Sequence, residues 1–108
     1  MKRGEVWWTD FEPAVGGEIR KRRPAMVISN DYANQHLNRV QVVPLSSKVG
    51  RFFPSEVAVS LNGITRKAVT DQITTVSKLK VGRYVGRISE ADIRQIEQAI
   101  KTQLGLLI

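Results

Sequence analysis

The sequence predicts a mainly β domain of the α+β class, arranged as a small barrel with one helix at its C-terminus. Many short runs rich in β-branched and aromatic residues are separated by turn residues, which is typical of short strands. Only the last part of the chain has the periodicity of an amphipathic helix. No linker, repeat or low-complexity tract interrupts the 108 residues, so we expect a single domain over residues 1–108.

The predicted strands follow one another from the N-terminus, with turn signals between them. Pro24 has no backbone N–H and is therefore expected at the first position of its strand. Asn62-Gly63 predicts a tight turn, and a turn or cap at Ser29 opens a polar stretch that ends at Asn38. The strands are expected at residues 5–11, 24–29, 39–45, 56–61, 67–71 and 72–76.

The predicted helix begins after Ser89, which with Asp92 resembles a capping box. Ile88 precedes the cap and is placed to pack against the first apolar residue of the helix. Four apolar side chains then recur at helical spacing, and we expect this stripe to pack into the core. The stripe consists of Ile93, Ile96, Ile100 and Leu104.

The chain is strongly basic, with 17 Lys and Arg against 10 Asp and Glu and a formal net charge of +7. Such a surplus favours polyanionic partners, which are nucleic acids, acidic proteins or anionic membranes. The alternative is a protein that is basic without binding a polyanion, because net charge is a non-specific signal. No apolar run approaches the roughly 20 residues of a transmembrane helix, and no signal-peptide core follows Met1. A cytoplasmic protein is expected.

The residue types that are missing exclude several kinds of chemistry. The chain has no cysteine, which excludes disulfides, thiolate nucleophiles and cysteine-ligated zinc. Its single histidine, His36, lies in a polar stretch, is expected to be exposed and cannot form a two-histidine acid–base pair. Neither a carboxylate cluster with metal-ligand spacing nor a glycine-rich phosphate loop with its lysine is present. We therefore expect no metal and no cofactor.

Four consecutive cations precede the second predicted strand, at residues 20–23. They form either a solvated loop that aids solubility or a binding loop anchored by the strand. Arg23 differs from the other three because Pro24 biases it toward an extended backbone. A guanidinium held in one place presents two parallel donors to a phosphate, so Arg23 is the first candidate functional residue.

Two further polar features are candidates. Ser46 and Ser47 end an apolar strand, where their hydroxyls either donate to a phosphate oxygen or cap a turn. Glu18 follows Gly17 and precedes the cations; beside them its carboxylate stays ionised. Glu18 is either a general base or a counter-charge that holds the loop.

The basic loop from Lys48 to Pro54 carries two adjacent aromatic residues. Aromatic side chains in a basic loop can stack on unpaired bases. Of Phe52 and Phe53, we expect one to lie in the core and one on the surface.

Several short segments carry a family resemblance through their order and spacing. The N-terminal segments are Arg3-Gly4-Glu5-Val6-Trp7, Asp10-Phe11-Glu12-Pro13, Gly16-Gly17-Glu18 and Arg23-Pro24-Ala25-Met26-Val27-Ile28-Ser29-Asn30-Asp31. The later segments are Val42-Val43-Pro44-Leu45-Ser46-Ser47, Phe53-Pro54-Ser55-Glu56-Val57, Asp71-Gln72-Ile73, Gly86-Arg87-Ile88 and Leu104-Gly105-Leu106. Taken in order, these motifs resemble the MazF/PemK family of toxins over nearly the whole chain.

The resemblance implies an SH3-like barrel and a homodimeric, metal-independent endoribonuclease that cleaves single-stranded RNA at short sequences. It assigns the catalytic arginine to Arg23, the catalytic hydroxyl to Ser46 and the family's acidic loop residue to Glu18. Residues 19–22 depart from the family's usual mixture of Gln, small residues and Gly. The side chains expected to bind RNA belong to this run and to the loop after Ser46, and they are Arg20, Lys21, Arg22, Ser47, Lys48, Arg51 and Phe52.

The chemistry implied is attack by the RNA 2′-hydroxyl on the adjacent phosphorus, leaving a 2′,3′-cyclic phosphate and a 5′-hydroxyl. Arginine stays protonated and cannot be the base, so Glu18 or solvent must accept the proton. The expected protein partner is a MazE-like antitoxin whose acidic segment covers Arg23.

Two alternatives keep the fold without the activity. The first is a DNA gyrase poison of the CcdB type, but this chain ends Leu106-Leu107-Ile108 and lacks the C-terminal tryptophan of those toxins. The second is a non-catalytic RNA-binding module.

Overall fold

The computed structural model describes residues 1–106. Between these residues the chain forms seven strands and two α-helices, connected by short loops and two single 3₁₀ turns at residues 70–72 and 78–80. The strands are β1 (Glu5–Asp10), β2 (Arg22–Val27), β3 (Arg39–Ser46), β4 (Glu56–Leu61), β5 (Ile64–Val69), β6 (Thr74–Ser77) and β7 (Val81–Arg87). The helices are α1 (Asp31–His36) and α2 (Glu90–Leu104).

The strands form one curled antiparallel sheet, in the order β4-β5-β3-β2-β1-β7, with β6 paired to β3. One edge of β3 pairs with β2, while its other edge pairs first with β6 and then, from Leu45, with β5. This change of partner curls the sheet into a half-barrel. The predicted mainly β architecture with a C-terminal helix is therefore confirmed.

The core consists of two clusters on opposite faces of the sheet. The larger cluster lies under α2 and includes Val6, Met26 and Leu45 from the central strands, together with Ile93 and Ile96 from the helix. The smaller cluster is formed by Ala25, Val27, Val40, Val42 and Val76, with Trp7, Phe11 and Val81 packed against it. Because β2 and β3 contribute to both clusters, they are the most buried strands of the molecule.

Helix α2 is capped at both ends as its sequence predicts. The Ser89 hydroxyl accepts the N–H of Asp92 at 3.2 Å, and Gly105 ends the helix in the left-handed conformation with φ +68°. Ile88 and Ile93 both lie in the larger cluster, as expected. The prediction for Leu104 is wrong: its side chain is 56% exposed, because the last turn of α2 extends beyond the cluster.

Several predicted boundaries are also wrong. Strand β2 begins at Arg22, and Pro24 is its third residue; the missing N–H is tolerated because pairing with β3 starts only at Ala25. The 3₁₀ turn Thr70–Gln72 interrupts the two strands that we predicted at residues 67–71 and 72–76. The polar stretch contains a short helix, α1, whose N-cap Asn30 accepts the N–H of Ala33. Strand β7 has no counterpart among the predicted strands.

Within residues 1–106, no helix combines the length and the apolar character needed to cross a bilayer. The C-terminal residues Leu107 and Ile108, on which the comparison with gyrase poisons depends, lie outside the described part of the chain.

Candidate functional site

Arg23 lies near the start of β2, with its side chain exposed to solvent. On one side it pairs with Thr9 of β1, and its Nε donates to the backbone oxygen of Arg20 at 3.2 Å. This hydrogen bond leaves the two terminal nitrogens of the guanidinium free of described protein partners. The strand and the loop together hold the Arg23 side chain at the end of the sheet.

Ser46 is the last residue of β3 and is half-buried. The β2–β3 ladder ends at the pair of Ala25 with Pro44, so Arg23 and Ser46 each lie two residues beyond that pair. The structure therefore places both residues at the same end of the two central strands. The Ser46 Oγ also accepts the N–H of Lys48 at 3.1 Å.

The carboxylate of Glu12 closes the base of the loop between β1 and β2. Its Oε2 accepts the N–H of Lys21 at 2.8 Å, and its Oε1 accepts the N–H of Ala14 at 3.1 Å. These two backbone hydrogen bonds, of which that from Lys21 has the larger effect, hold the pKa of Glu12 below its ordinary value. The Arg20 guanidinium, 4.0 Å away, lowers this pKa further.

Gln72 holds the tip of the same loop from the other side. Its Oε1 accepts the N–H of Ile19 at 2.6 Å, and its Nε2 donates to the backbone oxygen of Gly17 at 3.3 Å. The residue between them, Glu18, is therefore fixed by both of its neighbours. Neither Glu12 nor Gln72 was a predicted site residue, although both lie in segments that match the family.

Glu18 is exposed, and its Oε1 accepts the N–H of Val15 at 2.8 Å. It lines an open cavity of about 580 Å³ between the loop and residues 71–76. Arg23 and Ser46 do not line this cavity. The structure therefore does not bring Glu18 into the same cavity as Arg23 and Ser46.

The remaining predicted RNA-binding residues border this end of the sheet and are exposed. In the first loop, Lys21 adopts φ +64°, and Arg22 pairs with Asp10 of β1. A left-handed lysine is unusual, and its backbone turns the chain from the loop into β2. The exposed residues of the two loops are Arg20, Lys21, Arg22, Ser47, Lys48, Arg51 and Phe52.

The prediction that one of Phe52 and Phe53 lies in the core is wrong. Their exposed fractions are 39% and 55%, and each ring lies over a cation rather than in one of the two core clusters. The ring centre of Phe52 lies 5.1 Å from Lys67 Nζ, and that of Phe53 lies 5.3 Å from Arg51 Cζ.

His36 is exposed at the end of α1, as predicted, and stacks on Tyr32 with a centroid distance of 4.5 Å. Among residues 1–106, no group of three or more His, Cys, Asp or Glu side chains is arranged to hold a metal ion.

The fold is that of MazF toxins. The chain aligns with MazF from Deinococcus radiodurans over 97% of its own length and 96% of that protein, with a TM-score of 0.87 and 21% identity. It also aligns with a mycobacterial endoribonuclease solved in complex with its cognate antitoxin, covering 100% of this chain and 98% of that one, with a TM-score of 0.83 and 28% identity.

Curated relatives and a family model agree with this likeness. Endoribonuclease MazF9 of Mycobacterium tuberculosis is 36% identical over 98% of both chains. Endoribonuclease EndoA of Bacillus subtilis is 26% identical over 99% of this chain and 97% of its own. The model for the PemK-like, MazF-like toxin of type II toxin–antitoxin systems matches residues 2–104. The chain belongs to this toxin family.

Proposed function

We propose that this toxin is an endoribonuclease that cleaves single-stranded RNA at short sequences, without a metal or a cofactor, and that residues 1–108 form its single catalytic domain. The observation that supports the proposal is that Arg23 and Ser46 lie at the same end of the two central strands, each two residues beyond the last β2–β3 pair. The names of the relatives support the same activity, since MazF9 and EndoA are both endoribonucleases.

The reaction needs no nucleophile from the protein, because RNA carries its own. The 2′-hydroxyl oxygen forms a bond to the adjacent phosphorus, and the bond from phosphorus to the 5′-oxygen breaks. Arg23 stabilises the negative charge on the pentavalent phosphorus and protonates the leaving 5′-oxygen, and it regains that proton from water, while Ser46 donates a hydrogen bond to a non-bridging oxygen. Preorganised donors of this kind commonly contribute roughly 10²–10³-fold in rate each. The products are a 2′,3′-cyclic phosphate and a 5′-hydroxyl.

Glu18 is the proposed acceptor of the 2′-hydroxyl proton. It is an exposed carboxylate on the loop that leads to Arg23, and its backbone is held by Gln72 through Gly17 and Ile19. Solvent is the other possible acceptor, and a pH–rate profile of Glu18→Gln distinguishes the two.

The RNA strand is bound between the two basic loops, one before Arg23 and one after Ser46. Their cations contact phosphates, so the RNA-binding constant should fall as the salt concentration rises. The slope of log binding constant against log salt concentration becomes steeper with each phosphate contact. Phe52 offers a surface on which one base can stack. Ser47 lies beside Ser46 and supplies a further hydroxyl donor.

We further propose a cytoplasmic homodimer controlled by a MazE-like antitoxin with an acidic segment. The net charge of +7 and the exposed cations around Arg23 suit such a segment, and a mycobacterial relative has been solved with its cognate antitoxin. The antitoxin covers Arg23, so a saturated complex that still cleaves RNA at the full rate would contradict this part of the proposal.

The decisive experiment is incubation of the purified protein with a long single-stranded RNA in excess EDTA, beside Arg23→Ala and Ser46→Ala. Lys101→Met on α2 is the control, because it removes one positive charge far along the chain from either loop. We expect the wild type to cleave at a recurrent short sequence and to leave 5′-hydroxyl ends. The cleavage rate should fall about 10²-fold or more in Arg23→Ala and in Ser46→Ala.

Other outcomes would favour other functions. Intact RNA with folded wild-type protein would leave an RNA-binding module or a gyrase poison, which a filter-binding assay and a gyrase assay would separate. Cleavage unchanged in Arg23→Ala would retain the activity and reject the mechanism.

A further inference from the structure

A nearly buried ion pair joins β4 and β5 directly beside Ser46. Lys67 Nζ lies 3.3 Å from Glu56 Oε1, and each side chain is only 11% exposed. Lys67 is the register partner of Ser46 in the β3–β5 pair, so the two side chains lie on the same face of the sheet. The mechanism proposed above does not use this pair.

Both charges of the pair also contact the loop between β3 and β4. The Glu56 Oε1 accepts the N–H of Phe53 at 2.7 Å, and the Lys67 ammonium lies 5.1 Å from the ring centre of Phe52. The ion pair thus contacts two adjacent loop residues, Phe53 through its backbone N–H and Phe52 through its ring. The contact between a poorly hydrated ammonium and an aromatic face is stronger than the same contact in open water.

We propose that Lys67 is a positioning residue, which fixes the ring of Phe52 beside Ser46 so that a base of the bound RNA stacks on Phe52 while its phosphate reaches Ser46. Lys67 does not bind the phosphate itself, because its ammonium is already paired with Glu56 and is nearly buried. This inference rests on the proposed ribonuclease activity, and it assigns to the β3–β4 loop the role of a preformed stacking surface.

The pair can be compared with an ion pair between two more exposed side chains. Arg87 and Glu90 lie 3.6 Å apart, but they are 49% and 69% exposed and contact no predicted RNA-binding residue. Lys67 and Glu56 are far less exposed and each contacts the loop, which is why a role in substrate placement is expected for this pair and not for the other.

The test is steady-state cleavage of a short single-stranded RNA by Lys67→Met, Phe52→Ala and the double variant, with Lys101→Met as the charge-matched control. Loss of the stacked base raises KM about 10-fold in Phe52→Ala. Lys67→Met raises KM by a similar factor and changes kcat less than about 3-fold, because Arg23 and Ser46 stay in place. The double variant has the KM of Phe52→Ala alone, since Lys67 acts through that ring.

Two further variants separate placement from general stability. Lys67→Arg keeps a cation under the ring, and its KM stays within about 3-fold of the wild type. Lys67→Met combined with Glu56→Gln leaves no unpaired charge and keeps an acceptor for the N–H of Phe53, yet we expect the same rise in KM. Multiplicative KM effects when Lys67→Met is combined with Phe52→Ala, or an unchanged KM in Lys67→Met alone, would overturn the inference.

Amide hydrogen exchange of the free protein tests the placement without RNA. We expect faster exchange at residues 51–53 in Lys67→Met than in the wild type, and no change there in Lys101→Met. If the wild type leaves RNA intact, the proposed function fails while the exchange result still decides whether Lys67 orders the loop. If the wild type cleaves RNA and Lys67→Met matches it in KM and exchange, only the inference on Lys67 fails.

Discussion

Gln72, in the 3₁₀ turn after β5, accepts the N–H of Ile19 in the β1–β2 loop through its Oε1 at 2.6 Å. Because the same amide also donates to Gly17, it holds both neighbours of Glu18. A side chain from the turn after β5 therefore holds the backbone on both sides of the proposed proton acceptor, whose own carboxylate accepts the N–H of Val15.

Gln72→Ala removes both hydrogen bonds and should release the loop tip. We expect the free energy of unfolding to fall by about 1–2 kcal/mol, and kcat/KM for RNA to fall about 10-fold or more, because Glu18 and the following cations lose a fixed position. Urea unfolding and steady-state cleavage measure the two effects. Gln103→Ala, at an exposed position of α2, is the control and should change neither quantity. Full activity in a loosened Gln72→Ala variant would show that the loop position does not matter.

Glu12 should make the stability of the loop depend on pH. Its pKa is lowered from 4.5 by the backbone N–H groups of Lys21 and Ala14, so the native state favours the ionised form. The stabilisation is complete above pH 4.5 and is lost as the pH falls through the lowered native pKa. Glu12→Gln should therefore be less stable than the wild type at neutral pH, with a difference that shrinks in acid. Thermal unfolding of both proteins between pH 7 and pH 3 measures this stability difference. A difference that grows as the pH falls would contradict the lowered pKa of Glu12.

Glu18→Gln tests proton transfer. If Glu18 accepts the 2′-hydroxyl proton, kcat should fall about 10²–10⁴-fold and lose its dependence on the ionisation of a carboxylate. The variant still offers an oxygen to the Val15 N–H, so the loop should keep its shape. A kcat within about 10-fold of the wild type, with the same pH dependence, would assign the proton to solvent. Glu90→Gln, at the exposed start of α2, is the matched control.

The sequence predicted the sheet and α2 because these elements have strong local signals. The buried run before Ser29, the capping serine at residue 89 and the Asn62-Gly63 turn each act within a few residues. The 3₁₀ turn at residues 70–72 and strand β7 were missed, since they depend on pairing with distant strands.

The same distinction applies to the site. Arg23 and Ser46 could be proposed from the sequence because each has an unusual local setting, before a proline and after an apolar strand. Gln72 and Lys67 could not, because the contacts that single them out are long-range. Gln72 contacts a residue 53 positions away along the chain, and Lys67 pairs with a residue of a neighbouring strand. Nothing in a local pattern distinguishes a glutamine that holds a loop from one that faces water.

Gly4 is a position where a side chain should be costly. Its φ is +90°, and an added Cβ would lie 2.9 Å from the Cδ1 of Ile93. We expect Gly4→Ala to lower the free energy of unfolding by about 1–3 kcal/mol, of which the left-handed backbone accounts for about 1–2 kcal/mol. Gly50→Ala is the control: nothing lies within 4 Å of its added Cβ, and its stability should stay within about 1 kcal/mol of the wild type. Equal stability of the two variants in chemical denaturation would contradict the strain at Gly4.

The burial of the Lys67–Glu56 pair leads to a separate prediction about the free energy of unfolding. Both side chains are nearly buried, so removing one partner leaves the other charge without compensation. Lys67→Met should lower the free energy of unfolding by about 3 kcal/mol, near the lower end of the 3–5 kcal/mol typical of broken buried pairs. Arg87→Met, which breaks an exposed pair, should cost less than about 1 kcal/mol.

Adding Glu56→Gln to Lys67→Met should restore much of that loss, because the second substitution removes the unpaired carboxylate while its amide oxygen still accepts the N–H of Phe53. A double-mutant cycle measured by urea unfolding gives the coupling directly. Additive losses would mean that water reaches both charges, and the pair would then be too weakly held to fix Phe52. A coupling of about 2 kcal/mol or more would instead show a pair rigid enough to order the loop. In the variant that combines Lys67→Met with Glu56→Gln, the free energy of unfolding should then recover while KM stays raised, because the cation under the ring of Phe52 is still absent.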